Sequence, residues 1–380
     1  MANDSTVTKA GLEGVVANSS SICYLDGQRG VLAYHGYDIH DLARASSFEE
    51  TCYLLWHGRL PTRRELGDLE SQLAAARPLP EPILRLMRTM PTVNGMDAIR
   101  TLTSALAHYD MESDDVSFLA SYRKAIRLTG QLCSLVATWG RMSGGGGPIQ
   151  PDPAMKHAAN FLYMLTGERP SASSARALDV ALILHADHEL NASTFAARVT
   201  AATLADIHST VVSAIGALKG PLHGGANTDV MRLLEEIGPD SNEERVEQFI
   251  QAKLTRKEKI PGFGHRVYRT EDPRATHLRN LSCDLGDKRG DSRWFSLSRK
   301  IEAVVNKEKQ LYVNVDFYSA STYHALGIPV TLFTPVFAVS RVSGWTAHVL
   351  EQYKNNRLIR PRSEYVGPVY PQQYVAVDKR

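Results

Sequence analysis

The chain has 380 residues, with 43 Lys and Arg against 41 Asp and Glu, a formal net charge of +2. This near-neutrality removes the bulk-charge argument for nucleic-acid or membrane binding, while leaving room for a local cationic pocket. The length suffices for a substantial core and two or more domains, and no apolar stretch is long enough to span a bilayer. Cys23, Cys52, Cys133 and Cys283 are scattered and form no CxxC pair; they suit buried thiols of a reducing compartment, not a disulfide framework or a zinc site. Met1-Ala2-Asn3-Asp4 lacks the basic start and apolar run of a signal peptide, so a cytoplasmic protein is expected.

In chain order, the one strand signal comes first. Ile22-Cys23-Tyr24-Leu25, then Asp26-Gly27, then Val31-Leu32-Ala33-Tyr34 predicts a small hairpin. Helical patterns follow. Ser47 with Glu50 makes a capping box closed by Gly58, and Thr62 with Glu65 repeats it ahead of Leu66, Leu69 and Leu73. Ile99, Leu102, Leu106 and Leu128, Leu132, Leu135 keep the same spacing, and the Gly- and Pro-rich run 143–153 predicts a loop. From Arg176 to Lys219 the chain is helix-prone except at His185–Ser193. Ser241 with Glu244 predicts a cap before Val246, Phe249, Ile250 and Leu254, and Thr334-Pro335 predicts a helix start. Strand and helix never alternate, so the expectation is an almost all-α protein with a minor N-terminal β-hairpin.

Three polar points stand out. His223 lies in the tight corner Lys219-Gly220-Pro221-Leu222-His223-Gly224-Gly225-Ala226-Asn227, with Asn227 or Thr228 available to cap the next helix. His265 lies in a second corner, Pro261-Gly262-Phe263-Gly264-His265, and Asp316 interrupts the apolar Val313–Phe317 run. Two cornered histidines and one carboxylate are what proton abstraction next to a carbonyl needs. Singly, His223 reads as an ordinary loop histidine and Asp316 as a helix cap. His185, Asp187 and His188 invite a metal, but neither HExxH nor HxxEH is present; satisfied core histidines and a polar-substrate site are the other readings. The glycines around His223 fit neither the P-loop nor the dinucleotide fingerprint. Arg274, Arg341 and Arg360 singly are surface charges, yet together their guanidinium forks suit a substrate with two carboxylates.

Over nearly its whole length the sequence closely resembles the citrate synthase family. The motifs are His185-Ala186-Asp187-His188-Glu189, Gly220–Asn227, Gly262-Phe263-Gly264-His265, Asp272-Pro273-Arg274, Asn314–Ser319, Ser340-Arg341-Val342-Ser343-Gly344-Trp345 and Arg360-Pro361-Arg362-Ser363, in the family's order. The resemblance implies an all-α fold in which a small domain, 225–327, closes over a large one built from 1–224 and 328–380. It also implies condensation of acetyl-CoA with oxaloacetate, then thioester hydrolysis, with no metal and no cofactor beyond the acyl-CoA substrate. Asp316 would remove the methyl proton, neutral His223 would hydrogen-bond the thioester oxygen, and His265 would polarise the oxaloacetate carbonyl. His188, Arg274, Arg341 and Arg360 would hold oxaloacetate, with Arg360 reaching across a homodimer, and Arg269 would meet a CoA phosphate. The short, dimeric type is expected. Ser319-Ala320-Ser321-Thr322-Tyr323-His324 departs from the Ser-Gly that often follows the aspartate and looks somewhat like 2-methylcitrate synthases, which use propionyl-CoA, whereas Asn314–Tyr318 looks more like short bacterial and archaeal citrate synthases; 2-methylcitrate synthesis and dual acyl specificity are the alternatives. A non-catalytic CoA- or carboxylate-binding protein is the rival of another class.

Overall fold

The computed structural model describes residues 10–12, 14–91 and 94–380; the expectation for Met1–Asp4 falls outside them. Near the N-terminus lies an antiparallel sheet of β1 (Cys23–Asp26), β2 (Val31–Tyr34) and β3 (Tyr37–Asp38), in register Cys23↔Tyr34 and Asp26↔Val31. The expected hairpin is present, with Asp26 Oδ1 accepting from Gln28 N and Arg29 N in its turn. The third strand has no sequence signal, because two residues are too few for alternation to register.

Sixteen α-helices follow among the described residues. They are α1 (Ile39–Ala45), α2 (Phe48–His57), α3 (Arg63–Ala76), α4 (Glu81–Thr89), α5 (Gly95–Leu106), α6 (Phe118–Ser143), α7 (His157–Thr166) and α8 (Ala172–His185). Then come α9 (Ala192–Ala201), α10 (Ile207–Lys219), α11 (Ala226–Ile237), α12 (Glu243–Thr255), α13 (Pro273–Arg289), α14 (Arg293–Lys309), α15 (Val315–Ala325) and α16 (Phe333–Lys354). None is long and apolar enough to cross a membrane. Ser47 caps α2 by accepting from Glu50 N but without the reciprocal half of the expected box, whereas the full Thr62–Glu65 box forms on α3. The Arg176–Lys219 stretch breaks twice, the second time between α9 and α10, where Asp206 caps α10 by accepting from Ser209 N.

Three start signals resolve differently. Asn242, not Ser241, caps α12, while Ser241 Oγ donates to Ile237 O. α16 begins at Phe333, ahead of Pro335, and Thr334 Oγ1 donates instead to Gly224 O at 3.0 Å. α11 begins at Ala226 with no side-chain cap, and Asn227 is fully buried inside it. At Thr334 and Asn227, packing against distant parts of the chain overrode the local signal; at Ser241, the end of the preceding helix claimed the hydroxyl.

α16 is buried almost all round, as a helix must be when neighbours surround it. It packs on α2, α5, α6, α8, α9 and α10, while α11 to α15 pack chiefly on one another. Trp345 at its centre is fully buried; truncating such a side chain to alanine costs roughly 3–5 kcal/mol. The two groups of helices meet where α8 and α1 touch α13, where α8 touches α15, and where α16 touches α11. The candidate site lies along that seam.

Candidate active site

α8 ends at His185, and the segment to Asn191 is the polar cluster seen in the sequence. The α16 backbone presses on it: a Cβ on Gly344 would stand 2.3 Å from Ala186 O. The Tyr34 hydroxyl lies 3.1 Å from Ile183 O and 3.0 Å from Asp187 O, and accepts from Asp187 N. Asp187 is buried beside His348, 3.3 Å away. His348 Nδ1 accepts from Arg198 Nε at 2.9 Å, and Arg198 in turn pairs with Glu351. Burial pushes the Asp187 carboxyl up, but His348 and Arg341 outweigh it, so its pKa ends below the ordinary value. His185 and His188 diverge, the first toward Ala181 O and the second toward Tyr268. Among the described residues no group of three His, Cys, Asp or Glu is placed to hold a metal.

The anion-binding chemistry is concentrated in two buried arginines. Arg274 is clamped by Asp272, whose Oδ1 takes Arg274 N and Nε at 3.0 and 2.9 Å and whose Oδ2 takes Nη2 at 2.8 Å. That leaves Nη1 without a partner among the described residues. Arg341 is 1% exposed, donates through Nε to His185 O at 2.6 Å and lies 4.7 Å over the Phe337 ring. It has no carboxylate in ion-pair contact among the described residues. Asp187 compensates its charge only from beyond ion-pair distance, and a buried cation without a contacting carboxylate is expensive, so its guanidinium fork is a ready seat for one. His188 sits beside both; burial, then Arg274, His265 and Arg341, hold its pKa well below the ordinary value, so it is neutral.

His265 owes its placement to backbone geometry. Gly262 has φ +82°, and a Cβ there would meet Phe317 and Val230 at 2.7 and 2.8 Å, so only glycine fits. Gly264 N donates to Tyr312 O, Asn314 N to Gly262 O, and Asn314 Nδ2 to Gly264 O, each at 2.9 Å. This corner is thereby tied to the start of α15. His265 Nδ1 accepts from Val267 N and Tyr268 N at 3.0 and 3.1 Å, which assigns the proton to Nε2. Burial and then Arg274 lower its pKa to about 4. Its ring centroid is 5.2 Å from that of His188.

His223 is fixed by the same logic with the nitrogens reversed. Nε2 accepts from Ser193 N at 3.3 Å and lies 2.8 Å from Ser193 Oγ. Trp345 Nε1 donates to that hydroxyl at 3.1 Å. The proton is assigned to Nδ1, which is left free to donate. Burial, with Arg341 nearby, lowers the His223 pKa to about 4. Both imidazoles are therefore neutral donors at pH 7.

Asp316 is the second residue of α15, capped by Asn314 Oδ1 at 3.0 Å from Asp316 N; the cap role belongs to Asn314. Its carboxylate accepts no hydrogen bond among the described residues. Burial raises its pKa from 3.8 to about 7, with Arg274 and Arg341 pulling it back and Asp272 adding to the rise. Asp272 Oδ2 also accepts from Val315 N at 3.2 Å, joining the arginine clamp to the helix that carries the aspartate.

A cleft of about 840 Å³ opens beside these groups, lined among others by Pro221, Leu222, His223, Gly264, His265, Arg266 and Asn314. Arg269 is exposed, with its backbone N–H on Gly27 O at 2.8 Å; Arg266, which the sequence does not single out, lines the cleft instead. Arg360 lies beyond α16 in a separate groove with Arg198, Glu351 and Arg357, so one chain does not bring it to the other candidates. Tyr268, Ser193, Asp272 and Asn314 hold the candidate groups or their supports in place, and sequence reasoning did not single them out as candidates. Only Asp272 and Asn314 carried a local signal, as short polar residues that open a helix just ahead of Arg274 and Asp316.

The chain matches the family described as "Citrate synthase, C-terminal domain" over residues 11–362. It is 53% identical to "Citrate synthase 2" of Bacillus subtilis over 97% of this chain and 98% of that protein. It is 44% identical to "Citrate/2-methylcitrate synthase" of the same organism over 95% and 96%. Among solved structures, citrate synthase from Thermoplasma acidophilum, in ternary complex with carboxymethyl coenzyme A and oxaloacetate, matches with a TM-score of 0.91 at 31% identity, covering 97% of this chain and 98% of that one. A likeness of that extent, with the motifs other than Arg360–Ser363 meeting at one seam, makes this chain a member of the citrate synthase family.

Proposed function

We propose that Asp316, His223 and His265 divide the work of condensing an acyl-CoA, acetyl-CoA by preference, with oxaloacetate. The citrate-synthase-type condensation is this family's reaction, and the observation that carries the residue roles is the pairing of one raised carboxyl with two neutral imidazoles beside two buried arginines. Asp316, poised near 7, is matched to take a proton from the methyl carbon at neutral pH. His223 Nδ1–H donates to the thioester oxygen as charge develops there; a preorganised donor in a dry site contributes roughly 2.7–4 kcal/mol. His265 Nε2–H polarises the oxaloacetate carbonyl and protonates it on attack. Arg341, the free amino group of Arg274 and His188 hold the carboxylates. Thioester hydrolysis then releases CoA, which occupies the cleft beside Arg266, with Arg269 as a further phosphate contact.

The same reading makes 225–327 a domain that closes on the rest, bringing Asp316 and His265 to His188 and Arg341. It makes the protein a homodimer in which Arg360 serves the partner's site. A cytoplasmic location belongs to it too, supported by four cysteines that form no disulfide. The test is thiol release from acetyl-CoA and propionyl-CoA, each with and without oxaloacetate. Oxaloacetate-dependent release with the higher kcat/KM for acetyl-CoA is expected. A propionyl preference moves the chain to 2-methylcitrate synthesis, a reading favoured by the Ser319–His324 segment; no release from either leaves a binding protein.

A further inference from the structure

Two features of the sequence have no task in the reaction just described: His185, and the Ser319–His324 departure that places a tyrosine at 323. Asp316, Ala320 and Tyr323 stand at i, i+4 and i+7 on α15 and so share a face. Two turns separate Asp316 from Tyr323, about 10.5 Å of axis. Helical side chains lean toward the N-terminus, so Tyr323 leans back over Ala320, whose side chain is a single methyl. The Tyr323 ring packs between His185 and Phe333, with centroids 6.2 and 5.4 Å away.

Each polar group at this place lacks something. Tyr323 Oη and His185 Nε2 are buried with no hydrogen-bond partner among the described residues. His185 Nδ1 lies 2.7 Å from Ala181 O, so Nδ1 carries the proton and Nε2 is a bare acceptor. Burial holds the His185 pKa to about 3, leaving the ring neutral. Burial, with Asp316 nearby, raises that of Tyr323 far above the ordinary phenol value, leaving it a donor. The Asp316 carboxylate, on a half-buried residue, is the third member that accepts no hydrogen bond among the described residues. Buried polar groups are almost always satisfied by protein or ordered water, and one water matches this trio: it accepts from Tyr323 and donates to His185 Nε2 and to the carboxylate.

We propose that Tyr323 is a positioning residue which, with His185, holds a water molecule hydrogen-bonded to the Asp316 carboxylate and so favours its ionised form. This rests on Asp316 being the base, and it explains how a carboxylate with a raised pKa stays usable at neutral pH. The other charges facing Asp316 are Arg274 and Asp272 at the start of α13 and Arg341 on α16. Glu235 of α11 lies toward His324, and Glu302 of α14 is bonded to Tyr318.

The experiment is Tyr323→Phe, which removes one oxygen. In the substrate-free protein the Asp316 carboxyl, followed by carbon-13 NMR against pH, is expected to titrate about half to one pH unit higher, as loss of a water-mediated bond to a charge implies. The acid limb of kcat/KM for the acyl-CoA should move by the same amount with the KM for oxaloacetate unchanged, and the Tm should fall. An unmoved titration with an equal or higher Tm overturns the proposal, because removing a truly unbonded buried hydroxyl relieves the fold. A high-resolution crystal structure of the unaltered protein is a second, independent test: a water within hydrogen-bond distance of Tyr323 Oη and His185 Nε2 supports the proposal, and apolar packing there refutes it. If the wild type releases no thiol in the presence of oxaloacetate, the functional reading fails, while the NMR titration and the crystal structure still decide the water.

Discussion

Replacing Asp316 by asparagine should make the protein both inactive and more stable. Folding lifts the carboxyl from 3.8 to about 7 through burial, so above pH 7 the folded state holds a charge it would rather not hold. The gap corresponds to about 4 kcal/mol at 1.36 kcal/mol per pH unit. The sign follows from linkage. Relative to the unfolded chain, the aspartate costs nothing below about pH 4, where it is protonated in both states. The cost grows between pH 4 and 7 and is complete above 7. Asparagine is nearly isosteric and never charged, so the variant's advantage should be about 4 kcal/mol at pH 8 and vanish near pH 4. Urea unfolding at fixed protein concentration, repeated at pH 4.5, 6 and 8, measures it. Oxaloacetate-dependent thiol release should be lost at every pH. Equal stability at pH 8, or a gain independent of pH, would refute the electrostatic argument; near-normal turnover would refute the base assignment.

Other perturbations probe the remaining groups. Ser193→Ala keeps the backbone donor to His223 Nε2 but removes the hydroxyl 2.8 Å away, so kcat should fall about tenfold with little change in Tm, the loss expected for one weakened hydrogen bond; unchanged kcat would show that the backbone alone sets the tautomer. Asp272→Asn removes the charge that clamps buried Arg274, and breaking such a pair costs roughly 3–5 kcal/mol, read as a lowered urea midpoint and a raised KM for oxaloacetate. Arg360→Ala and Asp316→Asn subunits, each inactive alone, should on mixing recover about a quarter of wild-type activity, because half the two-fold dimers would contain one intact site; no recovery would place Arg360 in its own chain's site.

The fold class was legible because periodic apolar residues and reciprocal caps are local signals, and α2 and α3 begin where Ser47 and Thr62 say they should. Where long-range contacts decide, the sequence was silent or misleading. Nothing near Thr334 announces that its hydroxyl belongs to Gly224, 110 residues away. The glycine corners and the apolar run around Asp316 marked the proposed reacting groups, since unusual backbone and a misplaced charge are visible in one dimension. The groups that orient them were not: Ser193 meets His223 across 30 residues and Trp345 reaches Ser193 across 152. Residue type reveals what can react, and only packing reveals what holds it still.

Arg341 has a consequence for the protein's lifetime. A guanidinium sealed in the core with no carboxylate in ion-pair contact weakens the unliganded fold, and on the proposed reading a bound dicarboxylate supplies that contact. Ligand that binds only the folded state adds about 2.7 kcal/mol at a hundred times its Kd. Resistance to heat and proteolysis should therefore rise and fall with the supply of oxaloacetate, so that a cell starved of this metabolite would shed the idle enzyme faster than the working one.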